Sequence, residues 1–358
     1  MQIKSRKLKN VTSVFWNSQN SSLVLLDQRV LPWDIKFNEY HSVKDVSEAI
    51  KNMVVRGAPA IGVTAAYAMV LSTIQALTKF KQQEKRIEFL KMSYQTLISS
   101  RPTAVDLENF AKIVLEEAIN TNLSVEKVLN RAHSLRTQVI EECKKIGIEG
   151  EKIIKNGETI LTHCNAGAPA TVDYGTALAP IYVAHSKQKK IRVIVDETRP
   201  RLQGARITAW ELYESGIEHL IITDNSASFL MSKGEIDKII VGADRCLQDG
   251  TIANKIGTLS LAISAKYFGI DFYVALPWST IDQSGTKASK IAIEKRDEEE
   301  VKFVTSKEQR ILISNEKSSA LNYAFDVTPA KLIKGYITSK GVLTLEQLKK
   351  VIKKIKKE

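Results

Sequence analysis

The chain has 358 residues, 44% of them apolar and 26% charged, and carries a formal net charge of +12 at pH 7. These values exclude a disordered chain and a coiled coil and leave room for two domains with ample core. Lys349 to Glu358 holds six lysines against one glutamate, supplying +5 of the +12, and the remaining +7 forms no basic stripe with interleaved aromatics, so nucleic-acid binding is not expected.

The first forty residues read as a small β-meander, with apolar runs at Val14-Phe15-Trp16, Leu23 to Leu26 and Trp33 to Phe37 separated by Asn/Ser or Gln-Arg turns. Helices follow. Ser42 is placed to cap one through Val55, Pro59 suits the first turn of another through Leu77, and Gln82 to Ser99 continues the series. Pro102 opens a helix to Ile119, and Ser124 caps one to Ile146, whose Val125, Val128, Leu129, Ala132 and Leu135 keep helical spacing. The pattern breaks from Gly147 to Gly157. Beyond it, short β-branched runs such as Arg192-Val193-Ile194-Val195 and Lys238-Ile239-Ile240-Val241 alternate with stretches of helical length, at Ala170 to Ser186, Gln203 to Ser215, Ser226 to Lys233 and Ala253 to Phe268. Gln283 to Glu300 reads as an exposed loop and the Lys-rich end as a solvated helix or frayed tail. The expected fold class is α/β: a β-meander and helical domain over 1–146, then a Rossmann-like, doubly wound, mostly parallel sheet over 147–358.

Cys143, Cys164 and Cys246 are an odd count without paired spacing, which points to a reducing, cytoplasmic setting and against a disulfide framework or a structural zinc. No uninterrupted apolar run of about 18 residues occurs, so no membrane span is expected. The turns Asn165 to Ala170 and Gly57 to Gly62 lack the dinucleotide-binding glycine spacing, and there is no phosphate loop of the nucleotide-triphosphate type. An enzyme without a cofactor is expected, and no metal, since His163, Cys164, Asp196 and Glu197 have no ligand spacing and strand alternation turns His163 away from Cys164.

Five apolar runs end in polar residues: Thr162 to Asn165, Asp196 to Arg199, Thr223 to Asn225, Gly242 to Arg245 and Pro277 to Thr280. Ligands of open α/β sheets bind outside the carboxyl ends of the strands, so these ends are expected to line one crevice. Cys164, just before a helix start, reads either as a thiolate favoured by backbone N–H groups or as an inert buried thiol. Asp244 reads as a carboxyl group whose pKa burial raises, fit for a general acid, or as a partner of Arg245. Cys246 reads as a packing residue. Arg56-Gly57-Ala58-Pro59 joins a guanidinium to a close-approaching backbone and a helix start, an anion cradle, and Arg101-Pro102-Thr103 and Asn254-Lys255 repeat that logic at two further helix starts. A phosphorylated, hydroxyl-bearing ligand fits the three together.

These motifs, with Asp196-Glu197-Thr198-Arg199-Pro200, Leu202-Gln203-Gly204-Ala205-Arg206, Ala253 to Thr258 and Phe325 to Pro329, resemble those of the methylthioribose-1-phosphate isomerases, aldose–ketose isomerases of methionine salvage. The resemblance covers nearly the whole chain. It implies that Cys164 and Asp244 are the catalytic pair, that Arg56, Gly57, Ala58, Arg101, Gln203, Asn254 and Lys255 hold a sugar phosphate, and that the chain is a homodimer. It also brings alternatives: close relatives act on 5-deoxyribose 1-phosphate or ribose 1,5-bisphosphate, and distant ones are regulatory subunits of an initiation-factor exchange complex. The implied chemistry is ring opening assisted by protonated Asp244, with Cys164 handling either the C2 proton or a hydroxyl proton during a hydride shift from C2 to C1. A thioether at C5 would want an apolar wall, expected near Trp33 or Trp278.

Overall fold

The computed structural model describes residues 12–101, 104–282, 284–285, 287–307 and 309–355. Expectations that fall on residues 1–10, Pro102, Thr103, Gln283, Thr286 and residues 356–358 lie outside the described residues. The chain opens on an antiparallel meander of β1 (Val14–Asn17), β2 (Ser22–Leu26) and β3 (Phe37–Tyr40). The third strand lies later than expected because the Val30 carbonyl accepts from the N–H groups of Trp33 and Asp34, at 3.0 and 3.1 Å, and turns that stretch.

Helices α1 (Val43–Lys51), α2 (Ala58–Lys79), α3 (Gln83–Ser100), α4 (Val105–Asn120) and α5 (Val125–Glu151) follow. The Ser42 hydroxyl caps α1 by accepting from the Asp45 N–H at 3.2 Å, whereas Ser124 makes no side-chain cap bond on α5. By length and hydropathy α2 is long and apolar enough to cross a membrane; here it is the buried centre of the helical layer, packed by α3, α4 and α5. Its apolar character runs all round because every face meets a neighbour. The last helix continues past Ile146 to Glu151. Gly147 and Gly150 are contact points rather than breakers: a Cβ on Gly147 would stand 3.0 Å from the Ala179 carbonyl oxygen, and one on Gly150 2.4 Å from the Pro180 ring.

The second half runs β4 (Thr159–Thr162), α6 (Ala168–Thr171), α7 (Leu178–Ser186), β5 (Arg192–Asp196), a π-helical turn Gly204–Thr208 leading into α8 (Ala209–Glu214), β6 (His219–Ile222), α9 (Ala227–Ser232) and β7 (Lys238–Val241). Then come β8 (Arg245–Cys246), β9 (Ile252–Lys255), α10 (Thr258–Phe268), β10 (Asp271–Ala275), α11 (Glu299–Lys302), β11 (Phe303–Ser306), β12 (Gln309–Leu312), β13 (Phe325–Thr328), β14 (Gly335–Thr338), β15 (Gly341–Leu343) and α12 (Leu345–Ile355). The helix expected over 170–186 is split, because Val172, Tyr174 and Gly175 take positive φ values of 90°, 65° and 83° that no right-handed helix admits. The helix expected from Ala253 begins only at Thr258; Ala253, Asn254 and Lys255 belong to β9, which pairs with both β8 and β13. The Lys-rich end is a helix anchored by buried Leu348 and Ile352.

The α/β class is as expected. Seven strands form the main sheet in the order β15-β14-β10-β7-β4-β5-β6, parallel except for β15. From β4 the chain winds outward through β5 and β6, then returns to the other side of β4 with β7 and winds outward through β10 and β14. The direction of winding reverses between β4 and β7, and the helices on either side of such a point diverge and leave a crevice at the strand ends.

Candidate active site

Cys164 lies two residues beyond β4 and Asp244 three beyond β7, so the two flank that reversal point. A cleft of about 670 Å³ opens there, and it brings together all nine predicted site residues: Arg56, Gly57, Ala58, Arg101, Cys164, Gln203, Asp244, Asn254 and Lys255. Of the five strand ends, those of β4, β7 and β10 reach it. The ends of β5 and β6 stand behind it instead: the Asp224 carboxylate accepts from the N–H groups of Thr198 and Arg199, both at 2.7 Å, and the Thr198 hydroxyl accepts from the Cys164 N–H at 2.8 Å. Those polar ends fix the backbone that presents the thiol.

Cys164 takes a left-handed backbone, φ +64°, and its carbonyl accepts from the Thr208 hydroxyl at 2.7 Å. Its pKa is raised, not lowered as a helix start alone would give. Burial is the largest cause, opposed by the charges of Arg56 and Lys255. The helix that follows, α6, is only four residues long and contributes little dipole. For Asp244 the direction matches expectation: burial raises the carboxyl pKa against the pull of Lys255, Arg101 and Arg56. Cys246 points into the core, fully buried, with its thiol pushed up to about 12.

Four cationic or amide groups face the pair. Arg56 is buried and donates to the Asn165 carbonyl at 3.2 Å and to Asn165 Oδ1 at 2.5 Å. Arg101 follows the end of α3 rather than starting a helix, and the charge of Asp244 favours its guanidinium staying protonated against burial. Lys255 donates to the Ala324 carbonyl at 2.9 Å, with its ammonium 4.5 Å from the centre of the Phe325 ring, and Asn254 donates to the Thr258 hydroxyl at 2.9 Å. Burial lowers the pKa of Arg56, Arg101 and Lys255, and the carboxyl and thiol groups nearby favour their charged forms. Arg56 Nε, Arg101 Nη1 and Gln203 Oε1 are buried without a hydrogen-bond partner among the described residues. Buried polar atoms are almost always satisfied, so three orphans in one cleft fit a polar ligand.

Gly57 is a glycine for two reasons. Its φ is +97°, and a Cβ there would stand 2.2 Å from the Ala170 carbonyl oxygen. The first turn of the 22-residue α2 can thereby press against the 165–170 segment, with the N–H ends of the helix facing the cleft.

His163 also lines the cleft, contrary to strict strand alternation, because β4 ends at Thr162 and the alternation ends with it. Its Nδ1 bonds Asp196 at 2.9 Å and its Nε2 bonds the Ile256 carbonyl at 2.8 Å. His163, Asp196 and Asp224 offer ligand atoms within 4.8 Å of one another, but these hydrogen bonds already engage all of them except Asp196 Oδ1. Neither Trp33 nor Trp278 lines the cleft: Trp33 lies under Arg206 and the Trp278 indole N–H donates to Ser339.

Two acids that burial pushes up to about 7, Glu211 and Asp106, were not expected from the sequence. Glu211 accepts from Asn165 Nδ2 at 2.5 Å, the Ala168 N–H at 2.8 Å and the Tyr182 hydroxyl at 3.1 Å, so it holds the residue that holds Arg56. Burial pushes it up to about 7. Asp106, near the start of α4, is likewise raised to about 7 by burial and accepts from the Ser279 hydroxyl at 3.3 Å. The available signal was an acidic residue at an apolar helical position, Trp210-Glu211-Leu212 and Val105-Asp106-Leu107.

The sequence profile of the initiation factor 2 subunit family matches residues 54–345. A methylthioribose-1-phosphate isomerase of Thermotoga petrophila is 48% identical, covering 97% of this chain and 99% of the relative. The crystal structure of 5-methylthioribose 1-phosphate isomerase from Pyrococcus horikoshii superposes with a TM-score of 0.84 at 35% identity, covering 97% of each chain. A crystal structure of translation initiation factor eIF-2B, subunit delta, from A. fulgidus superposes with a TM-score of 0.82 at 37% identity, covering 96% of this chain and all of that one. The chain thus belongs to the initiation factor 2 subunit family, among relatives named methylthioribose-1-phosphate isomerase.

Proposed function

We propose that this protein isomerises 5-methylthioribose 1-phosphate to 5-methylthioribulose 1-phosphate, an intramolecular oxidoreduction within methionine salvage that uses no cofactor. The observation that carries the reading is the pairing of Cys164 and Asp244 across one buried, cation-lined cleft at the winding reversal. Binding alone needs neither a buried thiol nor a buried acid, and the three orphaned polar atoms suit the phosphate and hydroxyls of a sugar phosphate.

The phosphate on the anomeric oxygen prevents simple loss of a hemiacetal proton, so an acid must assist ring opening. Protonated Asp244, favoured by burial, donates to the ring oxygen as the bond from that oxygen to C1 breaks. In the proton route the Cys164 thiolate, stabilised by Arg56 and Lys255, removes the C2 proton, and the resulting enol takes a proton at C1 as its C2 hydroxyl releases one, leaving the C2 ketone. In the hydride route hydrogen moves with its electron pair from C2 to C1 while Cys164 takes the C2 hydroxyl proton. Either route needs Cys164 as a thiolate, which Arg56 and Lys255 favour against burial; the apolar walls of Ala58 and Phe325 favour the second, because a dry site protects a shifting hydride.

A pocket of about 480 Å³ shares Ala58, Arg101, Asp244 and Phe325 with the cleft and is completed by Ile61, Ala104, Arg245, Ala253, Ile291, Ala292 and Ile293. Its aliphatic walls supply the surroundings that a thioether at C5 needs. Leu220 and Ile221 on the edge strand β6 are 53% and 51% exposed, and Phe229, Ile263 and Tyr267 on α9 and α10 are 61%, 53% and 82% exposed. Exposed apolar side chains of this kind suit contact with a second copy of the chain, and light scattering at dimer mass is the expected result.

Phosphorus NMR with 5-methylthioribose 1-phosphate, 5-deoxyribose 1-phosphate and ribose 1,5-bisphosphate tests the reading. Conversion of the first to its 1-phosphoketose, abolished in Cys164→Ala and Asp244→Asn, is expected. A folded protein that converts none of the three would replace catalysis with sugar-phosphate binding by a regulatory subunit. Turnover in deuterated solvent separates the routes: deuterium at C1 marks the proton route, and full retention of hydrogen favours the hydride shift.

A further inference from the structure

The cleft continues past Arg56. Met53, Arg56 and Gln203 are shared with a second depression of about 620 Å³, completed by Gln28, Arg29, Arg201, Arg206, Ile207 and Thr305. Among the described residues that line it there are four guanidinium groups and no carboxylate. Two of the four have a carboxylate partner outside the depression: Arg29 grips Asp27 and Arg201 pairs with Glu300 at 2.6 Å. The other two are held by neutral groups. Arg56 is fixed by Asn165, and Arg206 donates to the Thr305 carbonyl with its guanidinium 5.2 Å from the centre of the Trp33 ring. The charged neighbours acting on Arg206 are Arg199 and Arg201, both cations, and the charge of Arg201 reaches Arg56 and Arg101 as well. Like charges crowded in this way oppose one another unless an anion joins them. Arg56 Nε, a donor on the shared wall, has no partner among the described residues.

We propose that this arginine-lined depression is a second phosphoryl-anion site on the entry path, where the phosphate of an incoming sugar is held before it passes to Arg56 and Arg101. The entry role rests on the sugar-phosphate reading above; the anion site itself does not. A fork of oriented guanidinium groups suits phosphate geometry, and a cleft mouth of one sign concentrates an anionic ligand and speeds its capture.

The test uses the intact protein and the double variant Arg201→Gln/Arg206→Gln, both on the partly exposed rim, with thermal melting to verify folding. Calorimetric titration with inorganic phosphate at low salt should find two sites in the unaltered protein. One site should remain in the double variant, and one, the outer, in Arg101→Gln. A single phosphate in the unaltered protein, or two in the double variant, overturns the site. With 5-methylthioribose 1-phosphate, kcat/KM of the double variant should fall about five- to tenfold at low ionic strength and converge on the unaltered protein at high salt, where charges more than about 3 Å apart are screened. Equal salt dependence in the two proteins overturns the entry role. Two bound phosphates with no turnover of any sugar phosphate would leave the anion site standing and remove the isomerase reading.

Discussion

Gly57→Ala tests how tightly the first turn of α2 is built into the site. The residue sits at φ +97° and ψ 129°, a region that side chains rarely enter, and the added methyl would stand 2.2 Å from the Ala170 carbonyl oxygen and 2.5 Å from its Cα. Backbone strain costs about 1–3 kcal/mol, and forcing a methyl into a packed backbone contact costs about 1–3 kcal/mol more. The sum, about 2–6 kcal/mol, is a large share of the roughly 5–15 kcal/mol that holds a typical domain folded. Gly157→Ala is the control: its φ is +88°, but nothing lies within 4 Å of its added methyl, so it carries the backbone cost alone. Urea unfolding of both variants isolates the steric part as their difference, expected at about 1–3 kcal/mol. Relief of the clash must also move Arg56 away from Asn165, so KM for the sugar phosphate should rise about tenfold in Gly57→Ala and stay unchanged in Gly157→Ala. Equal stability losses in the two variants would refute the close-approach argument.

Asp106 has a folded pKa of about 7 against an ordinary 3.8, raised first by burial and further by Glu142 and Asp244, with Ser279 opposing. An acid raised in the folded state binds more protons folded than unfolded between those values. Its contribution to stability is therefore present at low pH and is lost as pH climbs from about 4 to about 7, by up to roughly 4 kcal/mol. Asp106→Asn should flatten that part of the curve of stability against pH, read by urea unfolding at pH 5 and pH 8; an unchanged curve would count against a buried, ionising Asp106. Glu211→Gln replaces an acceptor for three donors with a group that accepts at one atom only. Loss of the Asn165 bond at about 1 kcal/mol should loosen Arg56 and raise KM about fivefold, with a smaller change in kcat, and an unaltered KM in a folded variant would show that Arg56 needs no such support.

Every predicted site residue reached the cleft, although two of the local arguments that selected them do not match the fold. The helix start expected at Asn254 and Lys255 is the end of β9, and Arg101, expected at another, follows the end of α3. In both cases the side chain lines the cleft while local conformation is set by pairing and packing elsewhere. Glu211 and Asp106 were invisible for a related reason. A single acid at an apolar helical position is unremarkable until the donors that converge on it, from Asn165, Ala168 and Tyr182 or from Ser279, are brought in by other elements.

What the sequence by itself determined was the helical first half, the strand–helix alternation of the second, the α/β class and the chemistry placed at the ends of its five apolar runs, because these follow from periodicity and from side chains close together in the chain. Only the tertiary structure decided that the winding reverses between β4 and β7, so that Cys164 and Asp244 line one cleft, and that burial outweighs Arg56 and Lys255 in raising the thiol. Desolvation and sheet order depend on groups far apart in sequence, and no local pattern encodes where those groups meet.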